Sequence, residues 1–354
     1  MKKAISLCCL VAIVLTCNAK DDNVVTLKSG VRVRRILSDK CFNGTRKKTI
    51  DGVTYFYHIL KTSYTGVIFE CADNTQRGEI PIGLTLENID IQDAKEDIRI
   101  PKVIDGIPVV RVGGFKGYSR IKSISLPKSV ISVSVSAFEG CSSLETITLP
   151  PRLVEIQSYA FKGCRRLKSK IALNNDVEIG HGIFHGCHDI TSIRFNGGIN
   201  TFATESIYLR TIPDETFADC RKLFDLKLPV DIRLIGAEAF SNCCSLTGIS
   251  LSKNLHTIRT RAFADCKALT EIKIPLRIEE VLNGVFSGCT ALKSVEIPTT
   301  LEELHGSTFS ECTSLETIKL PNAITRLSDE EFKGCVNLKS ITIPDHVTEL
   351  GVVD

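Results

Sequence analysis

A phenylalanine recurs in this chain every 23 residues, as Phe115, Phe138, Phe161 and Phe184, and again as Phe217, Phe240, Phe263, Phe286, Phe309 and Phe332. Only the step from Phe184 to Phe217 departs, at 33 residues, one period plus ten. From Phe138 onward a cysteine stands three residues later, at Cys141, Cys164, Cys187, Cys220, Cys243, Cys266, Cys289, Cys312 and Cys335; Tyr118 holds that place in the first unit. A period of this length, kept over ten units, confines the chain to a stacked repeat architecture. No 23-residue unit can bury its own apolar stripe, so successive units must bury each other's. At a strand spacing of ~4.8 Å, ten units make a stack about 50 Å long.

The grammar of one unit is legible from Ala137-Phe138-Glu139-Gly140-Cys141-Ser142-Ser143-Leu144-Glu145-Thr146-Ile147-Thr148-Leu149-Pro150. Thr146-Ile147-Thr148 alternates polar and apolar, as a short half-buried strand does. Pro150 ends the strand because it has no ladder hydrogen bond to give. Leu153 and Ile156 form a second inward pair before Ala160-Phe161 turns the corner. Leu167-Lys168-Ser169-Lys170-Ile171 carries one extra residue before its inward isoleucine, which predicts a local bulge. The ten residues added near 197–206, including Phe202, predict a loop on one face, and the middle of the stack is where a kink is expected.

Leu144-x-x-Ile147-x-Leu149-Pro150, Leu153-x-x-Ile156 and Ala160-Phe161-x-Gly163-Cys164 resemble the BspA-like leucine-rich repeats found on surface proteins of anaerobic bacteria and some parasitic protists. The resemblance spans residues 98–354. It departs from the commoner leucine-rich repeat, whose Asn/Cys column would fall near Arg152; here the cysteine precedes the strand. The expected fold is a leucine-rich-repeat solenoid, β-rich with short helical or 3-10 turns. Residues 20–97, with a strand at Val53–Tyr57 after the turn-forming Asp51-Gly52, are expected to be a small β-rich cap on its first turn. At the other end Val347-x-x-Leu350 opens a further turn, and the chain stops at Asp354, so that end is expected to be poorly capped.

Residues 1–19 read as an export signal: Lys2 and Lys3, an apolar run from Ala4 to Thr16, then a small-x-small Cys17-Asn18-Ala19. A run of 13 residues is short of the roughly 20 that span a bilayer. The alternative fate is lipid attachment at Cys17, for which Val14-Leu15-Thr16 is an imperfect lipobox. Either way the expected location is secreted or cell-surface, without a membrane-spanning segment. The formal charge is +3, two charges of which sit in the leader, so bulk electrostatic binding of nucleic acid has no support.

No phosphate loop, H-E-x-x-H or G-x-S-x-G stands in the chain, and neither an enzyme, a cofactor nor a metal is expected. His181, His185 and His188 cluster around Cys187, yet they occupy columns that vary elsewhere and lack a converging ligand set. The cysteine column reads as buried free thiols, since stacked side chains point the same way. Cys244 is the thiol expected to be most exposed, and Cys41 with Cys71 is the pair to test for a disulfide.

The outward strand positions form a polar stripe in which Lys227, Lys273 and Lys319 recur at alternate turns, with Arg194, Glu271 and Glu296 among them. Its ordinary reading is solvation of a β face; its functional reading is an extended protein-binding surface, with Phe202 in the insertion beside it. The resemblance implies an adhesion or interaction scaffold that binds host matrix proteins such as fibronectin and fibrinogen, or other cells. A structural envelope spacer without a soluble ligand is the alternative.

Overall fold

A single unit folds into a three-sided turn, and each side explains part of the repeat. The computed structural model describes residues 45–59, 83–91, 95–151, 153–168, 170–174, 177–196, 211–345 and 347–351, together with four short strands ahead of residue 83. The expected leader, Cys17, the pair Cys41 and Cys71, and Phe202 with its insertion lie outside the described residues.

The first side is a three-residue strand such as Thr146–Thr148, with Ile147 buried and both threonines exposed. Its neighbours stack parallel and in register, Ser123↔Thr146 and Ile124↔Ile147 in one pair, Glu271↔Ser294 and Ile272↔Val295 in another. The second side is a two-residue strand such as Glu155–Ile156, which buries Ile156. The third side contains no strand but is hydrogen-bonded all the same. The N–H groups of Ser136, Phe138 and Gly140 donate to the carbonyls of Ser158, Ala160 and Lys162 in the next turn, at 3.0, 2.7 and 2.7 Å.

On that third side the backbone alternates in handedness. Ser136 (φ 53°) and Gly140 (φ 73°) are left-handed, as are Glu238 (53°) with Asn242 (59°) and Arg261 (54°) with Asp265 (59°) in later turns. A left-handed residue every fourth position cannot propagate a right-handed helix. The short helical or 3-10 turns expected from the sequence are therefore replaced, among the described residues, by hydrogen-bonded turns. No helix of the described residues is long and apolar enough to cross a membrane.

Inside, the phenylalanines from Phe115 to Phe309 are fully buried and stack ring on ring. Centroids lie 5.0 Å apart at Phe240–Phe263 and 5.9 Å at Phe309–Phe332. The column survives the 33-residue step, where Phe184 and Phe217 are 6.1 Å apart and within 11° of parallel. The cysteine column has a backbone reason. Each thiol donates to the carbonyl of the phenylalanine one turn back, Cys164 to Phe138 at 3.1 Å and Cys266 to Phe240 at 3.2 Å. Within the core that carbonyl has no water to turn to, and a small side chain with a donor fits the space.

Ahead of the repeats, a hairpin of Arg46–Ile50 and Val53–Ile59 pairs antiparallel with Leu84–Ile91. Leu84–Ile91 then pairs parallel with Ile107–Val112, and the second side continues through Ser132–Val133, Glu155–Ile156 and Glu178–Ile179. Buried Tyr57 donates to Asp105 at 2.5 Å, and Lys48 meets the same carboxylate at 2.9 Å. The Tyr118 hydroxyl, in the place where later turns have cysteine, donates to the carbonyl of Ile89 at 2.5 Å. A separate antiparallel sheet joins Val24–Thr26, Arg32–Arg35, Val67–Glu70 and Arg77–Gly78.

The ladders break in the middle of the stack. On the first side, Asp97–Arg99, Ser123–Ser125 and Thr146–Thr148 form one sheet, and Ile171–Asn174, Ser192–Asn196 and Asp225–Lys227 form the next. The extra residue before Ile171 does not raise a bulge inside a strand pair. Ile171 meets Ile193 in an unbroken register, and the discontinuity falls between the two sheets.

Candidate interaction surface

The first side of the solenoid presents its polar residues as cross-turn pairs rather than as isolated groups. Arg194 donates to Asp225 at 2.7 Å across adjacent strands, and the Ser192 hydroxyl donates to the same carboxylate at 2.9 Å. These two bonds, the guanidinium first, hold the Asp225 carboxyl below its ordinary range. Lys273 pairs with Glu296 on the following strand, and Ser123 donates to Asp97. One column nearer the corner, Lys122 meets Glu96 at 2.7 Å, Lys168 meets Glu145 at 3.5 Å and Lys339 meets Glu316 at 3.1 Å. Exposed pairs of this kind contribute little stability each, about 0–1 kcal/mol. Their effect is to fix side-chain directions along a face whose backbone is already rigid.

The residues picked out from the sequence therefore divide. Lys273 and Glu296 neutralise each other, Arg194 is committed to Asp225, and Glu271 stands exposed opposite Ser294. Lys227 and Lys319 are exposed and have no ion-pair partner among the described residues. The stripe is interrupted where Gly248 and Ser250 would lie, since no strand forms there.

The structure adds an apolar group that the spacing did not single out. Phe224 occupies the column held by Glu145, Lys168, Thr191 and Thr247 in other turns, and it is 58% exposed. Its signal in the sequence was an apolar residue in a polar column. Phe195, by contrast, packs against the core.

The histidines near Cys187 are held by carboxylates. His185 Nδ1 lies 2.9 Å from Glu215 and its Nε2 3.9 Å from Asp219, and His181 lies 3.6 Å from Asp214. His188 is held below its ordinary pKa by burial and then by the charge of Arg221. Among the described residues no three such side chains converge as metal ligands. Burial raises the cysteine thiols, Cys141 to about 12 and Cys335 to about 11. Cys244 is half-buried, the least covered of the described cysteines, with its thiol 3.8 Å from the carbonyl of Asp265. On the second side, His256, Leu276, Arg277, Glu279 and Glu302 line a shallow groove.

Six copies of the BspA type leucine rich repeat region match this sequence, over residues 109–209, 204–289 and 234–352. A search of curated proteins gave no significant match. Among solved structures, the chain is similar to a leucine-rich repeat protein from Bacteroides ovatus, with 23% identity, 86% of this chain and 90% of that chain covered, and a TM-score of 0.49. A leucine rich cell surface protein from Faecalibacterium prausnitzii has 22% identity, the same coverages and a TM-score of 0.48. The pneumococcal vaccine antigen PcpA has 17% identity, coverages of 87% and 85%, and a TM-score of 0.42.

Proposed function

The chain belongs to the BspA-type leucine-rich-repeat family, and from that premise we propose that it is a non-catalytic protein-interaction scaffold, displayed on the cell surface or secreted, that binds along the first side of its solenoid. The observation that carries this reading is the in-register stacking of that side, which holds polar side chains in fixed positions over successive turns. A face ordered before binding loses little entropy when a partner docks, so many modest contacts can sum to a useful affinity. Lys227, whose charge acts on Asp225 without a direct ion pair, and Lys319 are the exposed cations placed to meet a partner. Matrix proteins such as fibronectin and fibrinogen, or another cell surface, are the partners this reading favours. Export by cleavage after Ala19, or anchoring through lipid on Cys17, would place the scaffold where such partners are.

The test is binding of residues 20–354 to immobilised fibronectin and fibrinogen, beside a variant carrying Lys227→Ser, Lys273→Ser and Lys319→Ser. Saturable binding weakened in the variant supports both the activity and the face. Equal binding by the variant keeps the activity and moves the site elsewhere. Absence of binding to either protein favours a structural envelope spacer.

A further inference from the structure

The corners of three successive turns, where the cysteine side meets the first side, differ from the rest of the stack. Arg165 and Arg166 form one corner, His188 and Asp189 the next, and Arg221 and Lys222 the third. They are stacked in register, since Asp189 N–H donates to the Arg165 carbonyl and Lys222 N–H to the His188 carbonyl, both at 3.1 Å. In other turns the same corner carries a single cation, as in Ser119-Arg120 and Lys267-Ala268, or no charge, as in Ser142-Ser143, Thr290-Ala291 and Thr313-Ser314.

The carboxylates set among these cations are already engaged. Lys222 meets Asp189 at 2.7 Å, Arg221 meets Asp219 at 3.3 Å, Lys168 takes Glu145 and Arg194 takes Asp225. That leaves Arg165, Arg166, Lys170 and Lys227 exposed, with no ion-pair partner among the described residues. The surface is thus locally cationic on a chain whose formal net charge is only +3. Phe224, on the third of these turns, adds an exposed ring beside Asp225 and Lys227.

We propose that this patch, Arg165, Arg166, Lys170, Arg221, Phe224 and Lys227, docks an extended acidic polypeptide segment with an apolar side chain between its carboxylates. The inference rests on the protein-interaction reading above and names its site and the chemistry of its partner. Guanidinium groups present a planar fork that matches carboxylates two hydrogen bonds at a time. The Arg165 and Arg221 corners, two turns apart, are separated by about 10 Å, the span of three to four extended residues. Arginine and aromatic residues together are the usual anchors of protein interfaces. A sulfated polysaccharide would be served by the cations alone, and its binding would be indifferent to Phe224.

The probe is a fluorescein-labelled nonapeptide with one leucine flanked on each side by four glutamates, followed by anisotropy at low and high salt. Controls are the same peptide with glutamine in place of glutamate, and a heparin dodecasaccharide. The expected result is salt-sensitive binding of the acidic peptide only. It should weaken about tenfold or more in a variant carrying Arg165→Ser, Arg166→Ser and Arg221→Ser, and about threefold to fivefold in Phe224→Ser. All four positions are exposed, and unchanged circular dichroism and melting would show the variants folded. Failure of the peptide to bind, equal binding by the triple variant, or heparin binding more tightly with Phe224→Ser unaffected each overturns the proposal. If the peptide fails while fibronectin or fibrinogen still binds, only the patch is lost and the scaffold reading stands.

Discussion

The turns from Phe240 to Phe309 and the turns from Phe161 to Phe217 have the same interior and different exteriors. In the later group the period is uninterrupted and adjacent rings lie 5.0 to 5.8 Å apart. In the earlier group the chain carries an extra residue before Ile171 and ten more before Phe217, yet the rings still stack at 5.5 and 6.1 Å. The thiol ladder also crosses the long step, Cys220 donating to the Phe184 carbonyl at 3.3 Å. The columns of rings and thiols thus run through the irregular turns, and the first-side pairing of Ser192–Asn196 with Asp225–Lys227 spans the longer step. The uncompensated cations Arg165, Arg166 and Lys170 lie on the irregular turns, the part of the surface least bound by the repeat.

The strongest way to break this comparison is to delete one ring on each side of it. Phe263→Ala is expected to lower the unfolding free energy by about 3–5 kcal/mol, and Phe184→Ala by the same amount within about 1 kcal/mol. Urea unfolding followed by circular dichroism measures both. A much milder Phe184→Ala would mean that the core is two stacks rather than one.

A smaller effect is expected at Glu331, the one buried carboxyl among the described residues, which stands where earlier turns have Ala137, Ala160 and Ala262. One oxygen accepts from the Thr308 N–H at 3.1 Å and the other has no partner. Burial pushes its pKa up to about 8, against 4.5 unfolded. The folded state therefore holds the proton more tightly, and stability falls as pH rises from about 4.5 to about 8, then levels off. The loss across that window is on the order of a few kcal/mol, and Glu331→Gln should flatten it. A wild-type melting temperature that rises through this range would refute the burial argument.

The smallest contrast separates two cysteines on successive turns, one in the column and one outside it. Cys266→Ala removes a buried donor from the Phe240 carbonyl and should cost about 1–2 kcal/mol, whereas Cys244→Ala, half-buried and outside the column, should be near neutral. A thiol reagent applied to the folded protein should likewise label Cys244 well before Cys266. Equal labelling would show that the column opens on the timescale of the assay.

Much of the fold was legible because a period is a one-dimensional property. Phe138, Cys141, Leu144, Ile147 and Ile156 each announced an inward column by recurring, and the strand side followed from their alternation. The exact form of the turn side was not legible, because a left-handed Glu238 or Arg261 leaves no mark in composition. The candidate surface was read only in part. Lys227 and Lys319 are marked by their spacing, whereas Phe224 and the Arg165–Arg166 corner occur once and have no column to reveal them.

The sequence by itself determined that the chain stacks, how many residues make a turn, and which side chains each turn must bury, since no unit can hide its apolar stripe alone. Only the tertiary structure decided which charges meet. Arg194 and Asp225 are 31 residues apart in sequence and 2.7 Å apart in space. Partnership across turns depends on the register of one unit upon the next. That register holds even across the added residues, where Ile193 still meets Leu226, so it is fixed by packing of the whole stack and not by the length of any single repeat.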